Sequence, residues 1–487
     1  MMRALRQGWP SDSHTTYANV KIVREWKKHF PEASECPPVI YLDLWPIMPE
    51  PFAMIVDPAL ASQLTQETPQ PRHPIFKWAQ VPITGGLDLL SADPVNHKLW
   101  RSRLIPGFSP RNLATHVPAM IEEVQTFADI VKSKAGKGGD WGDMFTFYDK
   151  TVALTFDVIT NTPGPMLLAL RALISYAKFN SLPNRLERLT PKYKRVIGHN
   201  SKIMADVLLP QIVTRLAASD APRSQKTIID MAIQEVKNSG QSPSSDFIDI
   251  VASNIKMFLF AGHDTTAQTL SWVYWELQRH PEVLAKMRAE HDEKLGTDPR
   301  LAKEVLSENH HRLSDLRYTA AVIRETLRLR TPAGTLRQTS PDFRLVDKHG
   351  VVYPTRNTVT QTIPTVIHVR PEFWPRPTEF VPERFLVPDD HPLHPAKNAY
   401  RPFELGSTRC IGEEMAMMEM KLALVFTLRE LDFDFNYALW DKVIGRVVPP
   451  GEGLVYGQRA YRAGQGIGHI KDNLPARVRW RAVNNAD

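Results

Sequence analysis

Two cysteines occur in the 487 residues, and one of them sits where chemistry could be done. Cys410 lies in RPFELGSTRCIGEEMA, with Gly406 four residues before it, Gly412 two after it, and an apolar helical pattern starting at once. Glycines let a tight turn approach a flat partner closely, and the N–H groups at a helix start favour thiolate over thiol. Such a turn suits a metal-ligating cysteine. Taken alone, a lone cysteine reads more simply as a small buried hydrophobe. Cys36, in EASECPPV, has no comparable setting and is assigned that role.

Two further groups stand out. Glu325 and Arg328 are three apart and share a helix face, although a surface pair at this spacing contributes only about 0.2–0.5 kcal/mol. Gly262 falls in the middle of the helical pattern NIKMFLFAGHDTTAQTL, where it should cost up to ~1 kcal/mol relative to Ala, and Thr265 and Thr266 are mediocre helix formers. Something must offset that cost, and a capped or kinked helix is the plain alternative to a functional one.

Together these residues resemble the cytochrome P450 superfamily. Phe403, Gly406, Cys410 and Gly412 look like its haem-binding signature, in which the cysteine thiolate is the axial iron ligand. Three other motifs follow the family's order: Ala261-Gly-His-Asp264-Thr265-Thr266 is similar to the oxygen-binding helix motif, Glu325-Thr-Leu-Arg328 to the Glu-x-x-Arg motif, and Pro382-Glu-Arg384-Phe to the Pro-Glu-Arg-Phe motif. The similarity of pattern spans roughly residues 39 to 480, and its flavour (DLWP, PITGG, RPFE, a Met-rich final helix) resembles fungal secondary-metabolism members.

The resemblance implies haem b ligated by Cys410 and contacted by Phe403, Gly412 and Thr265. It makes Asp264 and Thr265 the catalytic acid–alcohol pair that delivers protons for O–O bond cleavage. A Thr hydroxyl bonded four residues back would also bend or open the helix into a groove for dioxygen. His97 and Arg101, in VNHKLWRSRLIPGFS, resemble the propionate-binding pair, with His where Trp is commoner, and Arg337 is a further propionate contact. Where the family usually has Arg two residues before the cysteine, this chain has Thr408, with Arg409 next to the ligand; either Arg409 substitutes by pointing differently or the charge is supplied elsewhere. Arg384 is expected to join Glu325 and Arg328 in a buried cluster that supports the Cys410 loop.

The implied fold is mainly α with small β-sheets, a cytochrome P450 fold with a long central helix over the haem, in one domain covering 1–487. Its parts are an N-terminal β-containing region at about 39–75, a helical core at 95–330, a haem-ligand region at 331–431 and a C-terminal β part at 432–480. The implied function is a haem-thiolate monooxygenase that oxidises a lipophilic small molecule with O₂ and electrons from NADPH through a separate diflavin reductase. A haem-thiolate isomerase or dehydratase is the alternative, against which Asp264 and Thr265 argue; a non-catalytic haem- or lipophile-binding protein is another.

The elements that must position these residues are legible by period. Apolar residues recur at helical spacing over 117–134, 150–160, 166–179 and 202–217. A helix of over thirty residues begins near Ser244, Ser245 or Asp246 and stops before Pro281, apolar on nearly all sides around Met257 to Ala261. Others cover 319–330 and 413–431, with strands between 351 and 364 and in 39–58. Eight of the 40 prolines crowd into 371–402, just before Cys410.

Composition bounds the rest. A chain with 43% hydrophobic and 23% charged residues can bury a large core, so disorder and a disulfide-stapled scaffold are excluded. A net charge of +7 without a dense basic block makes nucleic acid a poor partner. Six Lys or Arg between 185 and 202 against one Glu suggest a peripheral membrane edge or a solvated helix face. The apolar segments 76–96 and 160–215 correspond to the family's substrate-lining regions. No run of ~18 apolar residues exists, so the chain as written reads as soluble or peripheral. Eukaryotic relatives usually begin with a membrane anchor; the expectation is a monomer at the cytosolic face of the endoplasmic reticulum whose anchor has been lost.

Overall fold

The computed structural model describes residues 8–43, 50–160, 164–178, 181–218, 226–240, 242–464 and 466–481. Leu44 to Pro46 of the DLWP segment lie outside these residues. The longest element is the helix Ser245–Arg279, capped by Ser244, whose hydroxyl accepts the Phe247 N–H at 3.2 Å. It ends at His280 because Pro281 opens the next helix, Pro281–Leu295, where its missing N–H costs nothing. Along its C-terminal half Trp272, Val273, Tyr274 and Leu277 are all buried, so the helix runs through the protein rather than over it.

The helices around it are longer than periodicity alone predicts. Pro110–Lys132 and Pro191–Ala217 each start at a proline preceded by a Ser or Thr cap and carry a second proline inside, at Pro118 and Pro210. The segment expected to be helical to 179 stops at Ile174. The Met-rich helix expected over 413–431 spans Glu413–Leu428 and stops before a strand, Leu431–Phe435. The main apolar core draws on Pro110–Lys132, Phe147–Thr160, the central helix, Arg317–Leu329 and Glu413–Leu428. None of the described helices is long and apolar enough to cross a membrane.

Four sheets are formed among the described residues, two of them two-stranded, and the two larger ones carry most of the pairing. One has four strands in the order Val39–Leu42, Phe52–Ile55, Val359–Thr362, Leu336–Gln338, so the chain returns after some three hundred residues to pair Phe52–Ile55 in parallel with Val359–Thr362. The other places Pro475–Trp480 between Phe145–Thr146 and Leu431–Phe435. The Pro-rich stretch 371–402 contains a single 3-10 turn, Pro382–Phe385, among bends and turns.

Candidate active site

The Cys410 loop is fixed from both ends. The Cys410 amide donates to the Phe403 carbonyl at 2.9 Å and the Arg409 amide to the Gly406 carbonyl at 3.0 Å. Gly406 has φ +85°, and a Cβ there would stand 1.9 Å from the Thr65 carbonyl oxygen, so a side chain is excluded twice over. Arg401 donates to Glu404 at 3.1 Å and to Thr65 Oγ1 at 2.6 Å, while Thr362 donates to Glu404 at 2.8 Å. These bonds tie the loop to the four-stranded sheet. Gly412 caps the helix Glu413–Leu428, but a Cβ there would meet nothing, so its role is not steric within the protein.

Cys410 is accessible to solvent yet closely surrounded by protein atoms. Burial pushes its thiol up; the Gly412 amide and, more weakly, Arg101 and Arg72 oppose the shift. A strong cation bound to the sulfur would reverse it, since a coordinating thiol is deprotonated outright.

Arginines gather nearby. Asp93 caps the helix Pro94–Leu104 by accepting the Val95 and Asn96 amides, both at 3.0 Å, and this helix carries His97 and Arg101 one turn apart. Arg337 stands on the strand Leu336–Gln338 and forms an antiparallel bridge with Arg72, which the sequence reading did not single out. Like charges placed opposite one another in a ladder are destabilising. Among the described residues, Arg72, Arg101 and Arg337 have no carboxylate at ion-pair distance. Arg72 Nε, Arg337 Nε and His97 Nε2 are buried without a hydrogen-bond partner. Burial, then Arg337 and Arg101, push the Arg72 guanidinium down to about 9; burial, then Arg72, Arg101 and Arg337, push His97 down to about 4. Buried nitrogens without a partner are costly, and three of them, on Arg72, Arg337 and His97, occur in this group.

Thr408 and Arg409 go separate ways. Arg337 donates to Thr408 Oγ1 at 2.6 Å, so the position where an arginine is usual instead accepts a bond from one. Arg409 turns away: its Nε is 2.7 Å from Glu413 and its side chain is 51% exposed. The expected substitution of Arg409 for the missing arginine is therefore corrected, because a free carboxylate one helical turn ahead captures it.

On the central helix, Thr265 Oγ1 donates to the Ala261 carbonyl at 2.7 Å, the bond back by four residues. The helix stays unbroken through this point. Gly262 has another reason to be glycine: a Cβ would lie 2.7 Å from Ile159 Cδ1 of the helix Phe147–Thr160. Asp264 accepts a hydrogen bond from the Tyr148 hydroxyl of that same helix. Ala261 and Ile411, the residue after Cys410, pack against one apolar cluster with Leu89, Trp100 and Leu104, which joins the central helix, the His97 helix and the cysteine turn. Ile83, Met166, Leu170, Met204, Leu208 and Leu259 form a second cluster that unites the helix Ile75–Thr84, which replaces a loop in the first part of 76–96, with the 160–215 region and the central helix.

Glu325, Arg328 and Arg384 are fully buried and joined. Arg328 grips Glu325 with two bonds, at 2.7 and 2.8 Å, and Arg384 Nε lies 3.1 Å from the same carboxylate. The remaining Arg328 donors reach the carbonyls of His368, Pro377 and Glu379, and Arg384 reaches those of Pro375 and Arg376. Trp374 lies beside both guanidinium groups, 5.1 and 5.7 Å from its ring centre. The basic stretch after 185 is partly spoken for: Arg188 stacks on Trp78 at 3.3 Å and Lys202 pairs with Asp206.

Comparison with known proteins agrees with this architecture. Residues 42–442 match the family Cytochrome P450. The chain is 35% identical over 455 residues to cytochrome P450 monooxygenase polC of Polytolypa hystricis, covering 90% of this chain and 81% of that protein. It is 32% identical to cytochrome P450 monooxygenase acrF of Aspergillus aculeatus, covering 90% and 93%. Its fold superposes on the cytochrome P450DA haem domain with a TM-score of 0.73 at 20% identity, covering 97% of this chain and 96% of that one. Motifs, fold and relatives coincide along nearly the whole length, and the chain belongs to the cytochrome P450 family as a monooxygenase.

Proposed function

We propose that this protein is a haem-thiolate monooxygenase of fungal secondary-metabolite biosynthesis that oxidises a lipophilic small molecule, with Cys410 as the axial iron ligand. The observation that carries the reading is a pair of complementary deficits. Burial disfavours the Cys410 thiolate, while Arg72 Nε, Arg337 Nε and His97 Nε2 are buried without a hydrogen-bond partner. A flat macrocycle holding iron and bearing two carboxylates meets both.

When bound, haem b supplies a thiolate-ligated iron at which O₂ can be activated and cleaved. The protein's own residues do the rest. Arg72, Arg101, Arg337 and His97 hold the propionates, with Thr408 orienting Arg337 through their 2.6 Å bond. Phe403 fixes the Cys410 amide, and Gly412 leaves room at the helix start. Asp264 and Thr265 hold and deliver protons above the cofactor, with the whole chain working as one domain around it. The apolar clusters beside the central helix favour a lipophilic substrate. The relatives polC and acrF, named as monooxygenases, support the same reaction class. Electrons come from NADPH through a separate diflavin reductase, and the monomer works at the cytosolic face of the endoplasmic reticulum with peripheral membrane contact.

Carbon monoxide added to the dithionite-reduced protein tests the ligand assignment. The wild type should give the red-shifted Soret band of thiolate ligation and Cys410→Ser should lose it; a wild type without the band overturns the reading. Thr265→Ala should uncouple NADPH consumption from product formation, whereas an unchanged product yield would favour peroxide rearrangement.

A further inference from the structure

We propose that Tyr148 is the positioning residue for Asp264: its hydroxyl holds one carboxylate oxygen and sets which way the acid faces beside Thr265. The proposal rests on Asp264 and Thr265 being the proton-delivering pair. In that role the Asp264 carboxyl gives its proton to Thr265 Oγ1 as the Thr265 hydroxyl passes its own proton on, and one from solvent water replaces it on Asp264, so both groups end each cycle as they began.

The helix Phe147–Thr160 meets the central helix along a polar seam. Tyr148, Thr151 and Thr155, spaced three and four apart, lie on one face. Thr151 bonds Ser271 Oγ at 2.9 Å and Thr155 donates to the His263 carbonyl at 2.8 Å. Those two bonds fix the helix in register, and the Gly262–Ile159 contact allows the close approach. The third bond of the seam ends on the acid itself. Tyr148 is 2% exposed within the main core, so its ring has nowhere to turn.

Tyr148 meets Asp264 as a neutral donor. Burial, and after it the charge and hydrogen bond of Asp264, hold its phenol well above the usual value, so it remains a donor at every working pH. The other charged or titratable groups that face this pair are Arg171, Arg462 and the buried His263 of the central helix itself. Arg462 is buried, and its guanidinium donates to the carbonyls of Ile467, Gly466, Thr331 and Pro332. Among the described residues it makes no ion pair, so it attracts Asp264 from a fixed place without seizing it. Asp264 is therefore restrained by one bond from a neutral donor, a restraint it can leave and regain.

The test uses the holoenzyme. Asp264→Asn first assigns the Asp264 carboxylate stretch by infrared difference spectroscopy of the ferric protein. Tyr148→Phe should then shift that band, raise the peroxide released per NADPH and lower kcat about tenfold with KM unchanged, a fraction of the 10²–10⁴ typical of positioned proton transfer. Combined with Asp264→Asn, it should add no further loss, as for two residues acting through one contact. Thr151→Val, which loosens the same seam without touching the acid, should leave band and coupling as they were. If Asp264→Asn itself leaves coupling intact, the proton-delivery reading fails and takes the proposal with it. If Asp264→Asn uncouples while Tyr148→Phe moves neither the band nor the coupling, the Tyr148 proposal alone is overturned. Should Tyr148→Phe not accumulate folded, 3-fluorotyrosine placed at 148 keeps the ring with a stronger donor, and the band must shift in the opposite direction; an unmoved band refutes the proposal.

Discussion

Two arginine clusters in this protein are built on opposite terms. In the Glu325 cluster every donor of Arg328 is used, on Glu325 and on three carbonyls, and Arg384 reaches the same carboxylate and two carbonyls more. In the Arg72 cluster two arginines stand opposite one another in a strand bridge, a third lies nearby, and three buried nitrogens have no partner. A cluster complete within the protein is scaffold. A cluster that leaves buried donors without partners is where the proposed function puts the propionates.

The sharpest way to break this contrast is Glu325→Ala. It leaves two buried guanidinium groups without their carboxylate, and about 3–5 kcal/mol of stability should be lost, read as a fall in the denaturation midpoint or the absence of folded protein. A loss below ~1 kcal/mol would place the cluster among ordinary surface pairs. Acid probes the same side more gently. Burial, then Arg328, push His368 down to about 3, and its Nε2 accepts the Arg401 amide at 2.9 Å. Its folded value lies below the unfolded one of about 6.5, so the unfolded chain takes the proton first and stability falls as pH drops below that value. The slope from this residue should approach about 1.4 kcal/mol per pH unit between pH 6 and 4, and a flat urea midpoint over that range would contradict it.

Arg72→Ala addresses the open cluster. It should speed transfer of haem to an acceptor protein about tenfold, the lower end of what outer partners of a metal site contribute, while the folded state survives. Retention equal to wild type would show that the bridge of Arg72 and Arg337 is not a carboxylate site. The smallest effect belongs to Arg409→Ala. An exposed pair with Glu413 contributes about 0.2–1 kcal/mol, and haem retention should not change; a loss matching that of Arg72→Ala would return Arg409 to the propionate site.

Much of the site is local and therefore legible in the chain. The cap at Ser244 and the stop at Pro281 depend on neighbours within a few residues. So do the pairing distance of Glu325 with Arg328 and the bond from Thr265 to Ala261. The order of the four motifs carries the family, and the long central helix follows from the apolar period.

What the sequence could not disclose are contacts between elements far apart. Arg72 has no motif of its own; it matters because a strand bridge places it against Arg337. Tyr148 is one tyrosine among twelve until the packing of two helices brings its hydroxyl to Asp264. The glycine at 262 suggested a groove by composition, whereas Ile159 supplies a steric reason from another helix. Arg409 was decided by competition, since Glu413 stands closer than any distant anion. Types and spacing within one turn or one helix settle local geometry because the backbone allows few alternatives there. Which charge meets which across the core depends on how the elements pack, and that the tertiary structure alone decides.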